Sequence, residues 1–148
     1  MRKIFALFAI STICYAEPTN KTNLYDWKII KDVDGDTVEV EVDFLPVELG
    51  KRLSIRVYGV DTPEKGWRAQ SDHERKMGEQ ASAFTKNLLQ NANDVKIRVL
   101  SWDKYGGRLL GDVIVDGKSL RQLLLENKYA REYYGDKKQS WDDYDNGK

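Results

Sequence analysis

Three stretches of strict two-residue alternation, each cut short by turn-forming residues, restrict this chain to a fold of short, half-buried strands. Val38, Val40 and Val42 alternate with Glu39 and Glu41; Leu53, Ile55 and Val57 with Ser54, Arg56 and Tyr58; Val95, Ile97 and Val99 with Lys96 and Arg98. A period of two sends one set of side chains into a core and the other towards solvent. The stretch from Trp27 to Val33 is also extended in character, and Asp34-Gly35-Asp36 after it has the form of a hairpin turn. Leu109 to Val115 predicts a further strand, stopped by Asp116-Gly117.

Between the third and fourth strands, Ala81, Phe84 and Leu88 fall at helical spacing beside Leu89, which predicts a helix from Glu79 to about Asn91. Ser119-Leu120-Arg121-Gln122 has the form of a capping box, and Leu120, Leu123 and Leu124 supply the stripe of a second helix. The charged stretch from Lys65 to Gly78 shows no period and reads as a mobile loop, with Trp67 partly packed, or alternatively free to stack on a base, and His73 solvated. The residues around Trp141-Asp142-Asp143-Tyr144 read as loosely held. Three strands, a helix, two strands and a helix predict an α+β fold: a five-stranded OB barrel with one helix inserted between strands 3 and 4 and another at the C-terminal side.

Arg2-Lys3, the apolar run Ile4 to Cys14 and Ala16 match a signal peptide over residues 1–16, and the run is too short to span a membrane. The expected order is then a flexible leader (17–25), one barrel domain (26–141) and a polar tail (142–148). Such a protein would be exported, periplasmic or secreted, monomeric, and free of the membrane after cleavage. Removing Arg2 and Lys3 takes the 24 basic residues to 22 against 24 acidic ones, a net charge of −2. Positive charge for a polyanion would therefore have to be local. The single cysteine, Cys14, leaves with the leader, and the single histidine is His73. Thiolate zinc sites, disulfides and two-histidine chemistry are excluded by counting.

Carboxylates gather at two turns. Asp34 and Asp36 flank the first hairpin turn, and Asp61 and Glu64 flank Asp61-Thr62-Pro63-Glu64. Oxygen donors without Cys or a His cluster suit Ca²⁺ or Mg²⁺ better than zinc or copper. Arg56, on the strand leading into the second turn, puts a guanidinium in reach of a phosphate bound there. Taken singly, Asp34 reads as a turn residue, Arg56 equally as a cross-strand partner, and Glu64 as a solvated loop glutamate.

Together with Gly78-Glu79-Gln80-Ala81-Ser82-Ala83-Phe84-Thr85-Lys86 and Asp103-Lys104-Tyr105-Gly106-Gly107-Arg108, the blocks Asp34 to Thr37 and Arg56 to Glu64 resemble the staphylococcal nuclease (thermonuclease) family, in order, from about Trp27 to Tyr134. The resemblance implies that Asp36, Asp61 and the carbonyl of Thr62 hold Ca²⁺, with Asp34 acting through water and Mg²⁺ or Mn²⁺ as possible substitutes. It implies that Glu64 is the general base and that Arg56 and Arg108 grip the scissile phosphate. Lys104, Tyr105 and Tyr134 would contact substrate. The implied activity is endonucleolytic hydrolysis of DNA and RNA with little sequence preference, leaving 3′-phosphates. Gly107 departs from the family pattern, in which the arginine often follows Tyr-Gly directly, and so puts the reach of Arg108 in question. The alternative reading is a barrel that keeps the fold, has lost the chemistry, and binds nucleic acid or protein.

Overall fold

The computed structural model describes residues 23–144. The expected signal peptide, most of the expected leader and the last residues of the tail lie outside the described residues. Strands β1 (Leu24–Tyr25) and β2 (Lys28–Asp32) are two arms of one bent strand, broken at Asp26-Trp27. β3 (Thr37–Glu41), β4 (Arg52–Val57) and the short β5 (Val60–Asp61) follow, then helix α1 (Asp72–Asn91). The long pair β6 (Val95–Trp102) and β7 (Arg108–Val115) leads to β8 (Lys118–Ser119), helix α2 (Leu120–Glu126) and β9 (Arg131–Glu132).

The main sheet runs β1-β6-β7-β4-β3-β2. Its two outermost members are the arms of the same bent strand, so the sheet curls round on itself as a barrel of five staves. Neighbours are antiparallel except β4 and β7, which run parallel. This is the expected α+β OB architecture, with α1 inserted after the third stave. Val38, Val40, Ile55, Val57, Ile97 and Val113 fill the barrel, and Leu120 and Leu124 of α2 join the same core. Among the described residues, no helix is long and apolar enough to cross a membrane.

The structure differs from the sequence-based expectation in four places. Helix α1 begins at Asp72, so the expected loop from Lys65 to Gly78 is half helix. Ser71 Oγ accepts the Glu74 N–H at 3.1 Å, and Glu74, Met77 and Gly78 extend the buried stripe back from Ala81. His73 is exposed on that helix, and Trp67, expected to be partly packed, is 89% exposed on a 3₁₀ turn at Gly66–Arg68. Leu24 and Tyr25, expected within the leader, pair with Arg98 and Ile97. β6 continues past Val99 through a bulge to Trp102.

The fourth difference is the C-terminal stretch, which is held. Trp141 is buried, the Arg131 guanidinium lies 4.0 Å from its ring centroid, and Tyr144 meets it edge-on at 4.8 Å. The Tyr144 hydroxyl donates to the Ala130 carbonyl at 3.2 Å. Aromatic burial and cation–π contact supply the anchorage that the polar composition conceals.

Candidate active site

The hairpin turn between β2 and β3 delivers the first carboxylate. Val33 and Asp34 N–H groups both donate to the Thr37 carbonyl, and the Asp36 N–H donates to Asp34 Oδ1 at 3.3 Å. Gly35 sits tightly under α1: a Cβ there would lie 3.0 Å from both Ala81 Cβ and Thr62 Cγ2, and its carbonyl accepts from Thr85 Oγ1 at 2.7 Å. The next side chain, Asp36, is thereby turned inward and is 2% exposed. Thr37 pairs with Arg56 across the ladder, so the register of β3 on β4 brings the arginine beside Asp36.

Arg56 Nη2 lies 3.1 Å from Asp36 Oδ2 and 3.7 Å from Asp61 Oδ1. Asp61 is itself buried on β5, opposite Arg131 of β9, whose Nη2 donates to Asp61 Oδ2 at 3.3 Å. Lys138 Nζ lies 2.8 Å from Asp61 Oδ1 and 3.6 Å from Glu64 Oε1. The result is a row of alternating charge: Asp36, Arg56, Asp61, Lys138, Glu64. Asp36 Oδ2 accepts no aligned hydrogen bond, and Asp61 Oδ1 is met by the Lys138 ammonium at 2.8 Å outside ideal alignment. Burial pushes the Asp36 carboxyl up to about 7, against the lowering effect of Arg56 and with a further raise from Asp34. For Lys138, burial opposes the charged form, but the Asp61 carboxylate outweighs it and the ammonium titrates above its ordinary value.

Glu64 is positioned through its backbone. Its N–H donates to Glu74 Oε1 at 3.2 Å, while Glu74 Oε2 accepts from Gln70 N–H at 2.7 Å. The buried Glu74 thus pins both ends of the loop between them. At Gly78 a Cβ would meet the Glu64 carbonyl oxygen at 2.3 Å, a separation that forces something to move. Elsewhere in a helix Gly→Ala stabilises by up to about 1 kcal/mol. Here Gly78→Ala is expected to destabilise by about 1–3 kcal/mol, the range for overpacking, and to shift Glu64. Urea denaturation reads the sign; a gain in stability would show that the Pro63-Glu64 backbone yields freely.

Arg108 opens β7 after a turn in which Gly106 and Gly107 both adopt positive φ, 72° and 76°, a region glycine enters without strain. The second glycine therefore lengthens the turn without deflecting β7 from its pairing with β4. Arg108 Nε donates to Asp103, and that guanidinium holds the Asp103 carboxyl below its ordinary value. Arg108 and Arg56 line one cavity of about 270 Å³ with Tyr58, Trp102, Tyr105 and Tyr134. Lys104 Nζ stands 4.9 Å from the exposed Tyr105 ring. Tyr134 meets Tyr58 edge-on at 5.7 Å, and its hydroxyl accepts from Arg121 at 2.7 Å.

Asp36, Asp61 and Arg56 are brought together, with Thr62 buried next in the chain and Asp34 half-buried at the turn. Arg108, Lys104, Tyr105 and Tyr134 gather at the cavity. Glu64 does not border it; Glu64 faces a second groove of about 320 Å³ with Arg68, Arg131 and Lys138. Sequence reasoning missed Glu74, Trp102, Arg131 and Lys138. Ser71-x-x-Glu74 was a readable signal for the first, being a helix-start pattern. Arg131 and Lys138 arrive through β9 and the segment beyond it, for which no local pattern exists.

The profile of the family described as "Staphylococcal nuclease homologue" matches residues 54–146. The chain is 34% identical over 118 residues to Endonuclease YncB of Bacillus subtilis (strain 168), covering 78% of this chain and 51% of that protein. It is 33% identical over 124 residues to Thermonuclease of Staphylococcus hyicus, covering 78% of this chain and 66% of that protein. The SPbeta prophage-derived endonuclease YokF of Bacillus subtilis (strain 168) is 34% identical over 114 residues, 75% of this chain and 35% of that protein. The chain thus spans about half to two thirds of the length of the first two. With the family profile covering more than half of it, this chain belongs to the staphylococcal nuclease homologue family.

Proposed function

We propose that the protein is an exported, Ca²⁺-dependent endonuclease that hydrolyses phosphodiester bonds of DNA and RNA with little sequence preference, leaving 3′-phosphates. The observation that carries this reading is Arg56, held between two buried carboxylates at the wall of a cavity that Arg108 also lines. The names of the relatives, two endonucleases and a thermonuclease, support it. Export rests on the sequence of residues 1–16, and N-terminal sequencing of the mature protein, expected to start at Glu17, tests it.

A hard cation suits the donors available. Asp36 Oδ2 is a buried oxygen without a hydrogen bond, Asp61 Oδ1 is a buried oxygen met by the Lys138 ammonium that a cation would displace, and no sulfur or imidazole lies among the ligating groups. No cluster of three or more ligating side chains occurs among the described residues, so the Thr62 carbonyl and water would complete the shell. When bound, Ca²⁺ supplies positive charge for the phosphoryl oxygens. Arg56 and Arg108 add forked donors to the same phosphate, whose negative charge grows in the five-coordinate transition state. Glu64 takes a proton from the attacking water. Tyr105 and Trp102 offer stacking surfaces that read no sequence.

Purified protein is expected to degrade single-stranded DNA and RNA with added Ca²⁺ and to stop on chelation. Binding without cleavage across Ca²⁺, Mg²⁺ and Mn²⁺ would favour the alternative, a barrel that has lost its chemistry. The raised Asp36 carboxyl adds a pH dependence. Below about pH 7 that carboxyl is protonated in the cation-free protein, so a cation must displace the proton and its apparent affinity falls. Ca²⁺ is expected to raise the Tm more at mildly alkaline than at mildly acid pH; equal shifts would remove Asp36 from the ligand set.

A further inference from the structure

Two exposed aromatic–cation pairs lie on different sides of the charged row. Tyr105 is 79% exposed beside Lys104, at the cavity shared by Arg56 and Arg108. Trp67 is 89% exposed, with the Arg68 guanidinium 5.5 Å from its ring centroid. Trp67 and Arg68 border a hollow with Lys65 and the carboxylates Asp34, Glu64 and Glu79, and Arg68 also lines the groove holding Arg131 and Lys138, where a phosphate would sit away from Asp34 and Glu79. Neither hollow shares a lining residue with the Tyr105 cavity. Asp61 stands between the two sides, touching Arg56 on one and Lys138 on the other.

The turn that displays Trp67 is anchored. Lys65 Nζ donates to Ser82 Oγ of α1 at 2.8 Å, and the N–H groups of Glu64 and Gln70 both end on Glu74. An indole ring kept in water on a pinned turn gains nothing for the fold, since its apolar area remains unburied. Arg68 makes no salt bridge among the described residues, unlike Arg131 and Lys138, and its charge is available to a phosphate. The carboxylate of Glu74, which also lines this groove, already accepts two backbone donors.

We propose that Trp67 and Arg68 form a second nucleotide subsite, taking the unpaired base and the phosphate one step beyond the scissile phosphate of a single-stranded polynucleotide. This rests on the nuclease reading above. The strand crosses from the Tyr105 cavity over Arg56 and Asp61 to Glu64, then runs along the groove past Arg68, with its next base stacked on the indole. Stacking asks only for a free π face, so the subsite favours unpaired strands over duplex without choosing among bases.

The test uses Glu64→Gln protein, expected to cut at least about 10²-fold more slowly, over times short against that residual cleavage, with a labelled short oligothymidylate and with thymidine 5′-monophosphate as separate ligands. Trp67→Ala is expected to weaken the oligonucleotide about ten-fold by fluorescence anisotropy, leaving the mononucleotide Kd unchanged by calorimetry. Trp67→Phe should restore most of the loss. Arg68→Ala should lower the slope of log affinity against log salt by about 0.7, the share of one single-strand phosphate contact. Equal oligonucleotide affinity with and without Trp67, or parallel loss for both ligands, overturns the subsite alone. Failure of the parent protein to bind either ligand overturns the nuclease reading and the subsite with it.

Discussion

Arg56→Ala is expected to abolish most cleavage and to destabilise the fold in the same stroke. On the proposed mechanism the guanidinium neutralises charge that develops on the phosphoryl oxygens, and loss of one such donor costs on the order of 10² to 10³ in rate. The structural effect has a separate origin. Asp36 and Asp61 are 2% and 1% exposed, and among the described residues Arg56 is the cation that lies within 4 Å of both. Removing one partner of a buried pair leaves an uncompensated charge and costs about 3–5 kcal/mol. Lys138 and Arg131 still face Asp61, so the expected loss lies near the lower end of that range.

The sign of the pH dependence separates the two effects. Without Arg56 the larger of the two influences that lower the Asp36 pKa is gone, the Thr37 hydroxyl remaining, so the carboxyl, already at about 7, moves higher still. A group whose folded pKa exceeds its unfolded value favours the fold below the unfolded pKa and loses that contribution as pH rises through the folded pKa. The variant should therefore be weakest relative to the parent above neutrality and recover stability towards acid, as urea midpoints across pH would show. Arg56→Lys should restore much of the stability but little of the activity, because an ammonium keeps the charge and lacks the fork. A variant of unchanged stability at alkaline pH would mean that Asp36 and Asp61 are compensated elsewhere.

Glu64→Gln is expected to do the opposite: to lower turnover by about 10² to 10⁴, the range for a general base, while leaving the fold intact. The Glu64 side chain is 37% exposed and its recorded ion pair is with Lys138 at 3.6 Å. Its placement depends on backbone contacts to Glu74 and on the space at Gly78, and the substitution touches neither. Near-parental activity with unchanged stability would show that another group takes the proton, and would leave Glu64 as a partner of Lys138. Comparing the two variants thus divides the row of charges into a residue that supports the fold and the chemistry together and one expected to support the chemistry alone.

The period-two runs and the turn residues between them made the barrel legible because strand alternation is written locally. Val38, Val40, Ile55 and Val57 are buried where alternation put them, and Arg56, on the opposite phase, emerges beside the carboxylates. Helical spacing made α1 readable and a capping box α2, but the Ser71-x-x-Glu74 cap that starts α1 at Asp72 instead of Glu79 went unread. The bulge in β6 defeated periodicity: one irregular step carries the strand to Trp102 and changes which side chains reach the cavity.

The sequence by itself determined the α+β barrel, the helix between the third and fourth staves, and the residue types from which a phosphate site can be assembled. These follow from period, turn chemistry and composition, each a property of a short window. What only the tertiary structure decided is how those residues divide. Arg56 and Arg108 share one cavity, Glu64 faces another groove, and Lys138 and Arg131 return from the far end of the chain to Asp61. Charges 70 residues apart in sequence, as Asp61 and Arg131 are, meet through the pairing of β5 with β9 and the burial of Trp141 beneath Arg131. Such encounters depend on packing over the whole barrel, and no local pattern encodes them.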